Sequence, residues 1–215
     1  MSTLYYIYDP MCSWCYAFAP TWQQIEISLP GAVRAEYVLG GLAPDSDQPM
    51  PEAMRAYLRQ TWRRIESVVP GTTFNYAFWT DCTPRRSTYP ACRAVLAARH
   101  FDPEYERPMI AAIQHAYYRE ARNPSDRITL IALAGSLGID TDRFAAYVDS
   151  PPCHAALAAD IERARALGVT GFPSLVLSVD AALIPIACRF GEPDLTLHRI
   201  IELSDREEST DMDET

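Results

Sequence analysis

Lysine is missing from this chain: its 19 basic side chains are all arginine. That absence excludes a Schiff-base or pyridoxal lysine and the lysine of a phosphate-binding P-loop. No Gly-x-Gly-x-x-Gly stretch, His-Glu-x-x-His pair or Gly-x-Ser-x-Gly elbow occurs either. Dinucleotide binding, zinc-protease chemistry and serine hydrolysis therefore lose their signatures. No apolar run approaches the ~20 residues of a membrane span. The opening Met1-Ser2-Thr3-Leu4 carries no basic, signal-like segment, so the expectation is a cytoplasmic protein that does not enter a membrane. Positive charge is also in deficit. A net charge of −9 argues against nucleic acid as a partner. Much of that charge sits in the tail, where Asp205, Glu207, Glu208, Asp211, Asp213 and Glu214 face only Arg206. Such a tail is expected to be disordered.

What remains is cysteine chemistry. The chain has 215 residues, 48% of them hydrophobic, enough for one large domain or a domain carrying an insertion. Its six cysteines stand at 12, 15, 82, 92, 153 and 188, and only the first two have a meaningful spacing. Leu4-Tyr5-Tyr6-Ile7-Tyr8 is an apolar, aromatic run of strand character. Helix-compatible residues follow Tyr16. Cys12 and Cys15 thus fall where a strand ends and a helix begins. There the free N–H groups and the helix dipole present partial positive charge, which stabilises a thiolate at Cys12. Cys15, one turn further in, is placed to close a disulfide. Attack by the first and resolution by the second is the recipe for dithiol–disulfide exchange.

Along the chain, the pattern predicts a helix from about Cys12 to Leu29 with Pro20 inside it, then a strand from Val33 to Leu39. A unit this compact implies two parallel strands with a right-handed crossover. From Pro44 to about Ser150 the periodicity is helical, with an aromatic loop over Thr72–Trp79 and helices at Tyr89–His100, Glu104–Arg119, Asp126–Leu137 and Thr141–Asp149. Ser125 and Asp140 read as N-caps. Ser150-Pro151 opens another helix, ended by Gly168. Strands follow at Ser174–Val179 and Leu183–Phe190, Pro185 marking the second as an edge. A last helix covers about Asp194–Leu203. The predicted organisation is a first core part over 1–43, a helical insertion over 44–150, a second core part over 151–203 and an acidic tail over 204–215.

With the insertion removed, β-α-β and α-β-β-α remain, and Gly168-Val169-Thr170-Gly171-Phe172-Pro173-Ser174 stands just before the third strand. Together with Asp9-Pro10-Met11-Cys12-Ser13-Trp14-Cys15 and the helical insertion, this motif resembles the DsbA family of the thioredoxin superfamily, in particular its cytoplasmic members described as protein-disulfide isomerases. The resemblance spans about Leu4 to Leu203. It implies an α/β, thioredoxin-like fold with a large all-helical insertion between the second strand and the next core helix. It also implies a cis Phe172–Pro173 bond facing the cysteine pair, with Phe172 meeting the substrate backbone and Ser13 and Trp14 beside it. The expected partners are protein or small-molecule thiols and disulfides, with no cofactor beyond the redox-active disulfide itself and glutathione or a thioredoxin-type donor as electron source. Two departures matter. Ser13-Trp14 replaces the Pro-His of the periplasmic oxidant, which predicts a weaker oxidant. The first strand shows no clear buried carboxylate to shuttle protons to Cys15, and Asp9 reads as a cap or turn residue.

Other readings compete. A Cys-x-x-Cys pair is often half of a zinc site, but no second pair or paired histidines accompany it. Cys82 and Cys92 flank one loop and suit a second disulfide, yet each also reads as an ordinary thiol; Cys153 and Cys188 fit apolar faces. The Phe74–Trp79 aromatics suit a substrate groove or a core equally. The rival enzyme class is the glutathione-dependent transferase or isomerase of the kappa and hydroxychromene-carboxylate-isomerase type. Its members share this architecture but typically carry serine at the position of Cys12, and Cys12 with Cys15 counts against it.

Overall fold

The structure, a computed structural model, describes residues 2–205; the expected acidic tail lies almost wholly outside them. Strand β1 (Ser2–Tyr8) leads into α1 (Ser13–Ile27), which returns the chain to β2 (Val33–Leu39). β2 runs parallel to β1 in a register from Ser2 opposite Val33 to Tyr8 opposite Leu39. Strands β3 (Ser174–Val179) and β4 (Ala182–Ile186) follow as an antiparallel hairpin, giving the order β2-β1-β3-β4. β1 is therefore central and buried on both faces, as its unbroken apolar run requires.

The period of two divides β1 between two layers. Leu4, Tyr6 and Tyr8 face α1, where Tyr6 stacks on Trp22 at 4.5 Å and on Tyr8 at 5.2 Å. Ile7 points the other way, into a small cluster with Val38, Val176 and Ala164. Ala164 belongs to α8 (Pro151–Ala166), whose Ser150 cap accepts the Cys153 N–H. Pro185 lies on the edge strand, as expected, but β4 stops at Ile186 rather than reaching Phe190. The chain past Ile186 leaves the sheet to bring Phe190 onto Phe18 and Trp14. The closing helix α9 (Pro193–Ser204) packs on α1.

Between β2 and α8 the structure is helical: α2 (Glu52–Val68), α3 (Phe78–Asp81), α4 (Tyr89–Phe101), α5 (Glu106–Tyr118), α6 (Arg127–Ser136) and α7 (Thr141–Val148). The short α3 falls in the stretch read as an aromatic loop. The helix expected from Glu104 begins as a separate turn over Pro103–Tyr105. Asp140 caps α7 through the N–H groups of Asp142 and Arg143. Ser125 does not cap α6. Its hydroxyl donates to the Ser87 carbonyl in the interior, and Asp126 takes the cap position. α4 is buried nearly all round, its alanines admitting close neighbours in α5, α7 and α8. Trp62 on α2 anchors a second focus, ringed by Phe74, Phe78, Trp79, Tyr117 and Tyr118. The Phe74–Trp79 aromatics are thus mostly core, since burying their large apolar area outweighs exposing it.

Candidate active site

The turn between β1 and α1 is built around the Asp9 carboxylate. One oxygen accepts the Met11 N–H at 2.8 Å. The other accepts the Leu42 N–H at 2.7 Å and the Thr88 hydroxyl at 2.6 Å, with the Cys92 thiol at 3.5 Å. Asp9 is fully buried. The first strand itself, Ser2–Tyr8, carries no carboxylate, as the sequence indicated; the buried one stands just past its end. Asp9 does shape the turn, but three of its partners come from segments distant in sequence, which no local pattern reveals. Such a charge is tolerated in the interior only because several donors converge on it. The Met11 carbonyl in turn accepts the Tyr118 hydroxyl at 2.7 Å. The residue before Cys12 is thus held from both sides.

Cys12 takes the N-cap position of α1, in extended conformation, and its carbonyl accepts the Tyr16 N–H at 3.0 Å. No acidic side chain occupies the first turn of the helix; the Asp9 carboxylate stands in the turn before it. Cys12 is 7% exposed as a residue, and its thiol donates to the Phe172 carbonyl at 3.5 Å. Cys15 is fully buried. Burial pushes its thiol well above the usual range, and the hydrogen bond with Cys12 adds to this. Cys12 lines a groove and Cys15 lies beneath it.

The Phe172–Pro173 bond is cis and brings the Phe172 carbonyl to Cys12. Space for the Phe172 ring comes from Gly40 at the end of β2, where an added Cβ would fall 2.0 Å from the ring. The Pro173 carbonyl accepts the Cys188 thiol at 3.7 Å; burial pushes that thiol up to about 12. Trp14 lies half-buried, edge-on to Phe190 at 5.5 Å, with the Arg64 guanidinium 5.9 Å from its ring centre. Cys12, Ser13, Trp14 and Phe172 all line one groove of about 180 Å³ with Leu42, Met50, Tyr57, Leu58, Trp62, Arg85, Arg86, Thr88 and Tyr117. Of the sequence-expected residues, Cys15 and Pro173 stand behind this wall. The insertion supplies the opposite side, and none of its groove residues carries a spacing signal toward Cys12.

The remaining cysteines have their own surroundings. Cys82 donates to the Ala121 carbonyl at 2.9 Å, whereas Cys92 faces Asp9. Burial pushes Cys153 up to about 11. Among the described residues no three His, Cys, Asp or Glu side chains gather as a metal-ligand set, and no helix is long and apolar enough to cross a membrane.

Residues 3–186 match the DSBA-like thioredoxin domain family. In structure, the chain is similar to a proposed protein disulfide isomerase of Nitrosomonas europaea, with a TM-score of 0.81 and 28% identity, covering 96% of this chain and 98% of that one. The cytosolic disulfide reductase DsbM of Pseudomonas aeruginosa follows at 0.77 and 29%, with 95% and 98% covered. The same DsbM in a structure with GSH aligns at 0.73 and 27%, covering 95% of this chain and 99% of that one. A curated relative, the ClpXP adapter protein SpxH of Halalkalibacterium halodurans, is 22% identical over 181 residues; they are 82% of this chain but only 58% of that protein's length.

Proposed function

This chain belongs to the DSBA-like thioredoxin domain family and is a DsbA-like oxidoreductase; on that premise we propose that its Cys12-Ser13-Trp14-Cys15 dithiol carries thiol–disulfide exchange. The observation that supports this most directly is the division of labour in the pair. Cys12 sits at the helix N-terminus on the groove wall, and Cys15 is sealed below it. In the forward direction the Cys12 thiolate attacks one sulfur of R–S–S–R′. A Cys12–S–S–R bond forms and R′–S⁻ leaves. Cys15 then loses its proton to solvent and attacks the Cys12 sulfur, so R–S⁻ leaves and the protein holds a Cys12–Cys15 disulfide. Two electrons have passed to the substrate, and two thiols of a donor return the protein to its dithiol.

The Phe172 carbonyl marks where a substrate's extended backbone would lie, and Ser13, Trp14 and Phe172 form its walls. Pro173 holds that carbonyl in place. Reduction or isomerisation of protein or small-molecule disulfides suits a reducing cytoplasm, and the GSH carried by the DsbM structure supports a low-molecular thiol as electron source. The buried Cys15 favours this reading over the glutathione-transferase type, which has no step for a resolving thiol.

A redox titration against glutathione tests the proposal. The expected result is one two-electron transition linking Cys12 to Cys15 within the cytosolic range of roughly −220 to −320 mV. Failure of the pair to form a disulfide at any poise overturns it.

A further inference from the structure

The groove beside Cys12 has an unusual charge. The chain carries 28 acidic residues against 19 arginines, yet no aspartate or glutamate lines this groove, while two arginines do. Arg85 is spent: its guanidinium meets Asp126 and the Ser125 carbonyl, both at 2.6 Å. Arg86 is half-buried, and no carboxylate among the described residues pairs with it. Its field reaches the buried Tyr117 hydroxyl on the groove floor, where it opposes the upward push of burial. The adjoining depression shares Trp14, Tyr57 and Thr61 with the groove. It too contains no acidic residue, and presents Arg63 and Arg64. A half-buried guanidinium without a counter-charge, next to a nucleophile, is a poised acceptor for an anion.

We propose that this groove selects small disulfides bearing a carboxylate, and that Arg86 is the residue that binds it. The inference rests on the exchange reading above and names the substrate class for it. The groove holds about 180 Å³, below the ~300–1,000 Å³ of pockets that engulf a drug-sized ligand, so it accommodates one arm of a small disulfide. Charge fixes which arm. A carboxylate on Arg86 forms a charge-assisted pair without displacing an internal partner, whereas an ammonium group there meets repulsion from Arg86 and from Arg64 behind Trp14. The covalent step is the exchange already written, with the carboxylate-bearing thiolate as leaving group.

The test measures the second-order rate constant for oxidation of the fully reduced protein by three disulfides: anionic glutathione disulfide, neutral bis(2-hydroxyethyl) disulfide and cationic cystamine. No electron donor is needed. The expected order is anionic, then neutral, then cationic after correction for each compound's intrinsic reactivity with a free thiol. In Arg86→Gln the ratio of anionic to neutral rates falls by about tenfold, and Arg86→Lys recovers much of it. Raising the ionic strength lowers the same ratio. An unmoved ratio in Arg86→Gln, or a wild-type protein that shows no charge preference, overturns this inference and leaves the exchange reading intact. A wild-type protein that none of the three oxidises overturns both.

Discussion

The Asp9 carboxylate and the Thr88 hydroxyl meet at 2.6 Å in the interior, tying the turn before Cys12 to the start of α4. The same hydroxyl accepts the Ala43 N–H at 3.0 Å, so one side chain joins the turn after β1, the segment after β2 and the insertion. The position of Cys12 thereby depends on an element nearly eighty residues away. Removing the hydroxyl leaves a buried carboxylate short of a donor. Thr88→Val should cost about 1–3 kcal/mol of unfolding free energy and shift the Cys12–Cys15 reduction potential, while Thr88→Ser should stay close to wild type. Urea unfolding and redox titration check both. A Val variant with unchanged stability and potential would show that the contact positions nothing.

Resolution by Cys15 should be the pH-sensitive half of the reaction. Its thiol is held neutral by burial, and only its thiolate attacks. As pH rises toward that raised value, the thiolate fraction grows by about tenfold per pH unit. The mixed disulfide on Cys12 should therefore shorten in lifetime across the neutral-to-alkaline range. Quenching with acid and weighing the adduct follows it. Cys15→Ser should trap the adduct at every pH, and Cys12→Ser should form none. An adduct lifetime flat in pH would assign the resolving proton to another group.

Gly40 is needed for space rather than for backbone freedom. A methyl group there collides with the Phe172 ring at 2.0 Å, so Gly40→Ala has to displace the residue whose carbonyl touches Cys12. We expect exchange to slow by about tenfold, with a double-mutant coupling of about 0.5–3 kcal/mol to Phe172→Ala, which removes the colliding ring. Stopped-flow oxidation of the four proteins measures it. Strictly additive effects would rule out the proposed collision.

Trp62 is the keystone of the insertion's aromatic focus and also part of the groove wall. Its ring stacks on Phe74 at 4.8 Å and contacts Trp79 at 4.7 Å. Trp62→Ala should cost about 3–5 kcal/mol, read as a lower urea midpoint. A loss below about 1 kcal/mol would mean that the insertion repacks around the gap.

The chain's order of elements was legible because periodicity and caps are local. β1 followed from an unbroken apolar, aromatic run and β2 from alternation, the Phe172-Pro173 junction came with the family resemblance, and Asp140 and Ser150 declared their helices. The errors share one cause. Ser125 looks like a cap in a window of four residues, but its hydroxyl found the Ser87 carbonyl. The apolar pattern continues to Phe190, but β4 ends at Ile186 and Phe190 packs on Phe18 and Trp14 of α1 instead. Asp9 does hold the turn through the Met11 N–H, while its further partners Leu42, Thr88 and Cys92 lie too far off in the chain for a local pattern to show.

By itself the sequence determined the chemistry on offer: a thiol pair at a strand-to-helix junction, in a chain without lysine. Spacing along one turn of helix is enough to set that. Only the tertiary structure decided which thiol is covered, that a buried carboxylate braces the turn, and that Arg86 enters the groove without a counter-charge. Burial and electrostatics depend on distances through space, and the partners that set them lie on segments that no sequence window contains together.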